Sequence, residues 1–89
     1  MKLVRVSSLW CTSCIVTYKE WKKVKEKYPE YEYIEYDYDE DFEEVEKYNI
    51  GNILPVIIIF KNDLEVKRII GEKKPDELLK EVEALNEKN

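Results

Sequence analysis

Residues 3–28, Leu3-Val4-Arg5-Val6-Ser7-Ser8-Leu9-Trp10-Cys11-Thr12-Ser13-Cys14 followed by IVTYKEWKKVKEKY, decide the fold because the periodicity changes within them. Leu3 to Val6 is a β-branched run closed by Ser7-Ser8 and predicts a strand of about five residues. From Cys11 to Tyr28 the apolar side chains recur at steps of three and four. Cys14, Tyr18, Trp21 and Val24 form the stripe, joined by Ile15 and Tyr28. Lys19, Glu20, Lys22, Lys23, Glu26 and Lys27 fill the positions between them, as on an amphipathic helix. Pro29 stops this helix, since the residue before a proline is pushed out of helical angles. Both cysteines of the chain therefore stand where a strand gives way to a helix.

Outward from this junction the same reading continues. Tyr31 to Tyr38 (YEYIEYDY) has no Gly or Pro and suits a strand, with Tyr31 and Tyr33 on one face and Ile34, Tyr36 and Tyr38 on the other. Asp39-Glu40-Asp41 places acids where a helix start favours them, and Phe42, Val45 and Tyr48 give a short helix one apolar edge. Asn49 to Asn52 closes that helix, with Gly51 expected as the left-handed or turn residue. Val56-Ile57-Ile58-Ile59-Phe60, opened by Leu54-Pro55, lacks alternation and reads as a strand buried on both faces. Lys61-Asn62-Asp63 turns the chain into a second strand, Leu64 to Ile70, making a hairpin that Gly71 ends. Pro75 is expected in the first turn of a last helix, followed by Asp76 and Glu77, with Leu78, Leu79, Val82 and Leu85 as its stripe. The order β-α-β-α-β-β-α predicts an α/β fold: a four-stranded mixed sheet flanked by three helices, with the first strand in its middle.

The chain of 89 residues is expected to be one domain, 1–89. Its charged share is 39%, with 20 acids against 15 bases and a net charge of −5, which argues against a general phosphate-backbone binder. No apolar run approaches the ~18 residues of a membrane span, and no signal-peptide layout follows Met1-Lys2, so a cytoplasmic chain is expected. Histidine is absent, which removes Cys–His and Ser–His pairs and the commonest metal ligand. Two cysteines do not make a secreted disulfide framework.

Trp10-Cys11-Thr12-Ser13-Cys14 carries the chemistry. In a βαβ context Cys-x-x-Cys reads as redox-active. At the first turn of a helix, residues three apart lie on the same side, so the two sulfurs meet. Unpaired backbone N–H groups and the helix dipole at that edge favour a thiolate. Cys11 thus reads as the exposed nucleophile and Cys14, one turn in on the apolar stripe, as the less accessible resolving thiol. Cys11 attacks a substrate disulfide to form a mixed disulfide, and Cys14 then attacks Cys11 and releases the reduced substrate.

These residues resemble the thioredoxin family, over nearly the whole chain. WCTSC is similar to that family's Trp-Cys-x-x-Cys site. Tyr48, Ile50 and Ile53-Leu54-Pro55-Val56 resemble the segment facing it, and Arg68-Ile69-Ile70-Gly71 the strand and glycine before the last helix. The resemblance implies a thioredoxin-like fold with a cis Pro55 beside the cysteines, and protein-disulfide reduction through a Cys11–Cys14 couple with no bound cofactor. It further implies that the Leu54 backbone pairs with an extended substrate segment while Trp10 shapes the rim. A thioredoxin-reductase-like flavoprotein would supply electrons, and the protein would act as a monomer. Three departures stand out. Thr12-Ser13 replaces the family's Gly-Pro, and its two hydroxyls are read as tuning the couple. Arg5 stands where the family has a buried Asp. The chain is short, nearer glutaredoxin in length, yet Gly71-Glu72-Lys73-Lys74 replaces that group's glutathione clamp.

The same residues admit other readings. A zinc site needs four ligands, so Cys11 and Cys14 would serve one only in a dimer or with carboxylates. A thioredoxin-like binding module without turnover is the other alternative. Tyr28, Tyr31, Tyr33, Tyr36 and Tyr38 lack a basic groove and read as strand packing, not nucleic-acid stacking. The acidic run Asp37 to Glu46 lacks calcium-loop spacing and reads as a solvated face.

Overall fold

The computed structural model describes residues 1–72 and 76–87. A central strand, β1 (Lys2–Ser7), carries four consecutive buried residues, Leu3 to Val6. It is followed by α1 (Thr12–Lys27), β2 (Glu32–Asp37), α2 (Phe42–Lys47), β3 (Val56–Lys61), β4 (Leu64–Ile70) and α3 (Glu77–Glu87). The strands form one sheet in the order β2-β1-β3-β4. β1 runs parallel to β2 and antiparallel to β3, and β3 and β4 form the antiparallel hairpin. The mixed sheet with an interior first strand is the arrangement that the order of elements predicts.

Alternation along β1 divides the core. Leu3 packs with Trp21 and Val24 of α1, Ile57 and Ile59 of β3, Ile69 of β4, and Leu78 and Val82 of α3. Val4 and Val6 point to the opposite face and meet Val45 of α2, Leu54, Val56, Ile58 and both cysteines. β3 feeds both clusters alternately, which is why its sequence is apolar from Val56 to Phe60. The tyrosines in and flanking β2 split as their spacing implies: Tyr31 and Tyr33 join the first cluster, Tyr36 and Tyr38 the second.

Several local expectations are corrected. The buried arc of α1 comprises Cys14, Trp21 and Val24, while Ile15 and Tyr18 are exposed. At about 100° per residue Ile15 lies a quarter-turn outside that arc, and Tyr18 sits at its edge. In α2 only Val45 is buried and Phe42 is exposed, because six residues give this helix a single position facing the sheet. Tyr48, at its C-cap, packs against Tyr36 and Phe60. The left-handed residue after α2 is Asn49 (φ 55°), not Gly51. Asparagine tolerates that region, and the Asn49 N–H donates to Glu46 O at 3.2 Å. Gly71 does adopt a left-handed φ of 81°, its N–H donates to Pro55 O at 2.8 Å, and a Cβ there would meet Ile53 Cγ2 at 3.3 Å. Asn62 and Asp63 both have positive φ (54° and 65°), the signature of a two-residue hairpin turn matched to strand twist. The expected role of Pro75 falls outside the described residues. Among those described, no helix is long and apolar enough to cross a membrane.

Candidate active site

The turn after β1 delivers the cysteines. Ser8 is buried; its carbonyl accepts the Cys11 N–H at 3.3 Å and its Oγ accepts the Trp10 N–H at 3.1 Å. Cys11 is left extended (φ −94°, ψ 107°) as the N-cap of α1. Its Sγ accepts the N–H of Cys14 at 3.2 Å, the position a capping oxygen takes at other helix starts. The three-residue spacing thus brings the two cysteines together across the first turn, both as free thiols.

The two differ in environment less than the sequence implies. Cys14 is 2% exposed. Burial first, and then its thiol contact with Cys11, push it up to about 11 from a thiol's ordinary 9.0. It is therefore a protonated thiol at neutral pH. Cys11 was expected to be exposed but is only 8% so. The reason is the Leu54–Pro55 segment, which closes over it: the Cys11 thiol donates to Leu54 O at 3.7 Å. Leu54 and Pro55 are themselves buried, and their peptide bond is cis, as the resemblance implied.

Trp10 is 63% exposed and stands at the rim. Its Nε1–H donates to Asp39 Oδ2 at 2.7 Å, and its ring meets Tyr38 edge-on at 6.5 Å. Leu9 and Ile53 are likewise exposed apolar side chains beside the cysteine and proline segments. Thr12 and Ser13 occupy the first turn, yet among the described residues neither hydroxyl bonds a sulfur. The donor that reaches Cys11 Sγ is the Cys14 backbone.

Two residues of this neighbourhood escape sequence reasoning. Asp39 falls within an acidic run read as solvated, and nothing in its spacing links it to Trp10. In the sequence Arg5 stands out only as a departure from a family pattern. In the structure it is 5% exposed, and its Nη2 donates to Cys14 O at 2.7 Å. The available signal was a charge on the same strand face as Leu3, where a core side chain belongs. No three His, Cys, Asp or Glu side chains gather to hold a metal among the described residues.

A family model described as Thioredoxin matches residues 1–84. Thioredoxin of Mycoplasma genitalium is 32% identical over 62 residues, covering 70% of this chain and 60% of that protein. Thioredoxin-1 of Saccharomyces cerevisiae is 32% identical over 72 residues, covering 79% of this chain and 69% of that protein. The match to Thioredoxin H5 of Oryza sativa subsp. japonica spans 61% of the relative's length, so the chain aligns with about three-fifths of some of these proteins. Among solved structures, thioredoxin 1 of Thermosipho africanus superposes with a TM-score of 0.85 at 17% identity, covering 98% of this chain and 96% of that one.

Proposed function

The chain belongs to the thioredoxin family, and from that premise we propose that it is a thiol–disulfide oxidoreductase that reduces disulfides in protein substrates through Cys11 and Cys14. The observation that carries this reading is the Cys11 sulfur at the helix N-cap, taking the N–H of Cys14, with the Cys14 thiol buried one turn behind.

Cys11, as thiolate, attacks one sulfur of the substrate disulfide. A Cys11–substrate bond forms, and the other substrate sulfur leaves as a thiolate that takes up a proton. Cys14 then loses its proton and attacks Cys11. The Cys11–Cys14 bond forms, the second substrate sulfur leaves, and the substrate has gained two electrons. Helix N–H groups facing Cys11 favour negative charge there. Burial of Cys14 keeps it from competing as the first attacker.

Leu54 and Pro55 supply the backbone edge for an extended substrate segment, and Trp10, held by Asp39, shapes the apolar rim with Leu9 and Ile53. Substrate entry displaces the Cys11 thiol from Leu54 O. The couple needs no bound cofactor; a flavoprotein of the thioredoxin-reductase kind returns the electrons. We read the protein as a cytoplasmic monomer, a compartment whose poise favours reduction. Insulin-disulfide reduction with dithiothreitol as electron source tests the proposal. The parent should accelerate precipitation of the insulin B chain and Cys11→Ser should not; equal activity in the two refutes it.

A further inference from the structure

We propose that Arg5 is a positioning residue for the second chemical step, holding Cys14 and supplying the positive field under which its sulfur becomes the attacking thiolate. This role rests on the exchange reading above.

Arg5 lies in the middle of β1, 5% exposed. Its Nη2 donates to Cys14 O at 2.7 Å, a charge-assisted bond from the central strand to the first turn of α1. Its Nη1 donates to Ser7 Oγ at 2.9 Å. The carboxylate nearest to it, Glu35 Oε1, is 3.6 Å away on β2, and that side chain is 41% exposed. The Tyr18 ring lies against the guanidinium at 5.3 Å, and Nε is buried without a hydrogen-bond partner among the described residues. This ion pair with Glu35 is one-sided, since the guanidinium is buried while the carboxylate is partly in solvent, which screens it and leaves a local excess of positive charge. Arg5 and Cys14 line one cavity of about 280 Å³ together with Ser7, Tyr18 and Asp37. The charged and titratable groups around Cys14 are thus Cys11 at the N-cap, Arg5 on β1, Glu35 and Asp37 on β2, and Tyr18 on α1. Arg5 is the cation among them. The Asp37 carboxylate is already engaged, taking the N–H groups of Asp39 and Glu40 at 2.9 Å each.

In the step concerned, the Cys14 S–H proton passes to water in that cavity. The sulfur's electron pair forms the Cys14–Cys11 bond, and the Cys11–substrate bond breaks with its pair on the leaving sulfur. Arg5 gives and takes no proton. It lowers the cost of the negative sulfur and fixes the peptide that carries it.

DTNB separates the two steps, because attack by Cys11 releases one coloured thiolate and resolution by Cys14 releases a second. Stopped-flow traces across pH are compared for the parent, Arg5→Met, Arg5→Lys and Glu35→Gln. At neutral pH, Arg5→Met should slow the second release by about tenfold, the change in thiolate for one unit of proton affinity, with the first release within about twofold. Its second-release profile should move to higher pH. Arg5→Lys, which keeps the charge, should stay closer to the parent. Glu35→Gln, which removes the counter-ion at an accessible position, should move that profile to lower pH. It decides the question even if Arg5→Met does not fold. An unchanged second release in Arg5→Met, equal slowing of both releases, or a Glu35→Gln shift towards higher pH overturns the role of Arg5 alone. A parent that releases no first equivalent overturns the exchange reading with it.

Discussion

Replacing Cys14 by alanine removes a thiol that the fold keeps protonated, and the effect is legible in alkaline stability. Burial and contact with Cys11 raise Cys14 from 9.0 to about 11 in the folded chain. As pH rises, the unfolded chain releases this proton first. Between those values the folded state holds one proton more, so stability falls by about 1.4 kcal/mol per pH unit. The contribution is fully present below pH 9.0, and roughly 3 kcal/mol of it is gone once the pH exceeds about 11. Tyr33, raised by burial from 10.0 to about 12, adds a second loss one unit higher. Urea unfolding of the reduced protein, repeated from neutral pH to beyond pH 11 at constant ionic strength, measures both. The Cys14→Ala curve should start lower for the lost packing, then fall less steeply than the parent by about 1.4 kcal/mol per unit between the two Cys14 values, keeping the Tyr33 limb. Two curves that run parallel across that window refute the reasoning.

The Tyr33 hydroxyl reaches Tyr28 O at 2.7 Å and Val24 O at 3.1 Å, so Tyr33→Phe should cost about 1 kcal/mol at neutral pH and flatten the most alkaline limb of the same urea series. Asp63 has φ 65° in the hairpin turn, and Asp63→Gly should raise the urea midpoint by an amount worth up to about 1 kcal/mol, since glycine adopts that region without steric cost. Trp10→Phe deletes the 2.7 Å bond to Asp39; insulin reduction should fall several-fold while reaction with DTNB, too small to span the rim, stays within about twofold.

The elements that the sequence discloses best are those whose burial is one-sided or total. The apolar run of β3 and the spacing of Cys14, Trp21 and Val24 each admit one placement, and the structure realises it. What stays hidden depends on tertiary angle. Periodicity assigns Ile15 and Phe42 to apolar stripes, but how far a helix overhangs the sheet decides whether such residues are covered. Gly51 has the composition of a left-handed residue, yet the chain reverses at Asn49, whose N–H meets one of the carbonyls the helix end leaves without a donor. The meeting of the cysteines follows from three-residue spacing. The cover over Cys11, the Trp10–Asp39 bond across 29 positions and the grip of Arg5 on Cys14 O are long-range and leave no periodic trace.

The division of the core along β1 has an outcome for how this molecule tolerates change. Trp21, Val24, Leu78 and Val82 occupy one compartment, the sulfurs another, and the two sets of side chains are separated by hydrogen-bonded backbone. Substitutions in separate packing units tend to act additively. The contacts among Trp21, Val24, Leu78 and Val82 can therefore be hardened against heat without replacing a side chain that packs on the sulfurs, provided the first turn of α1, which carries Cys14 and takes the Arg5 bond, keeps its place.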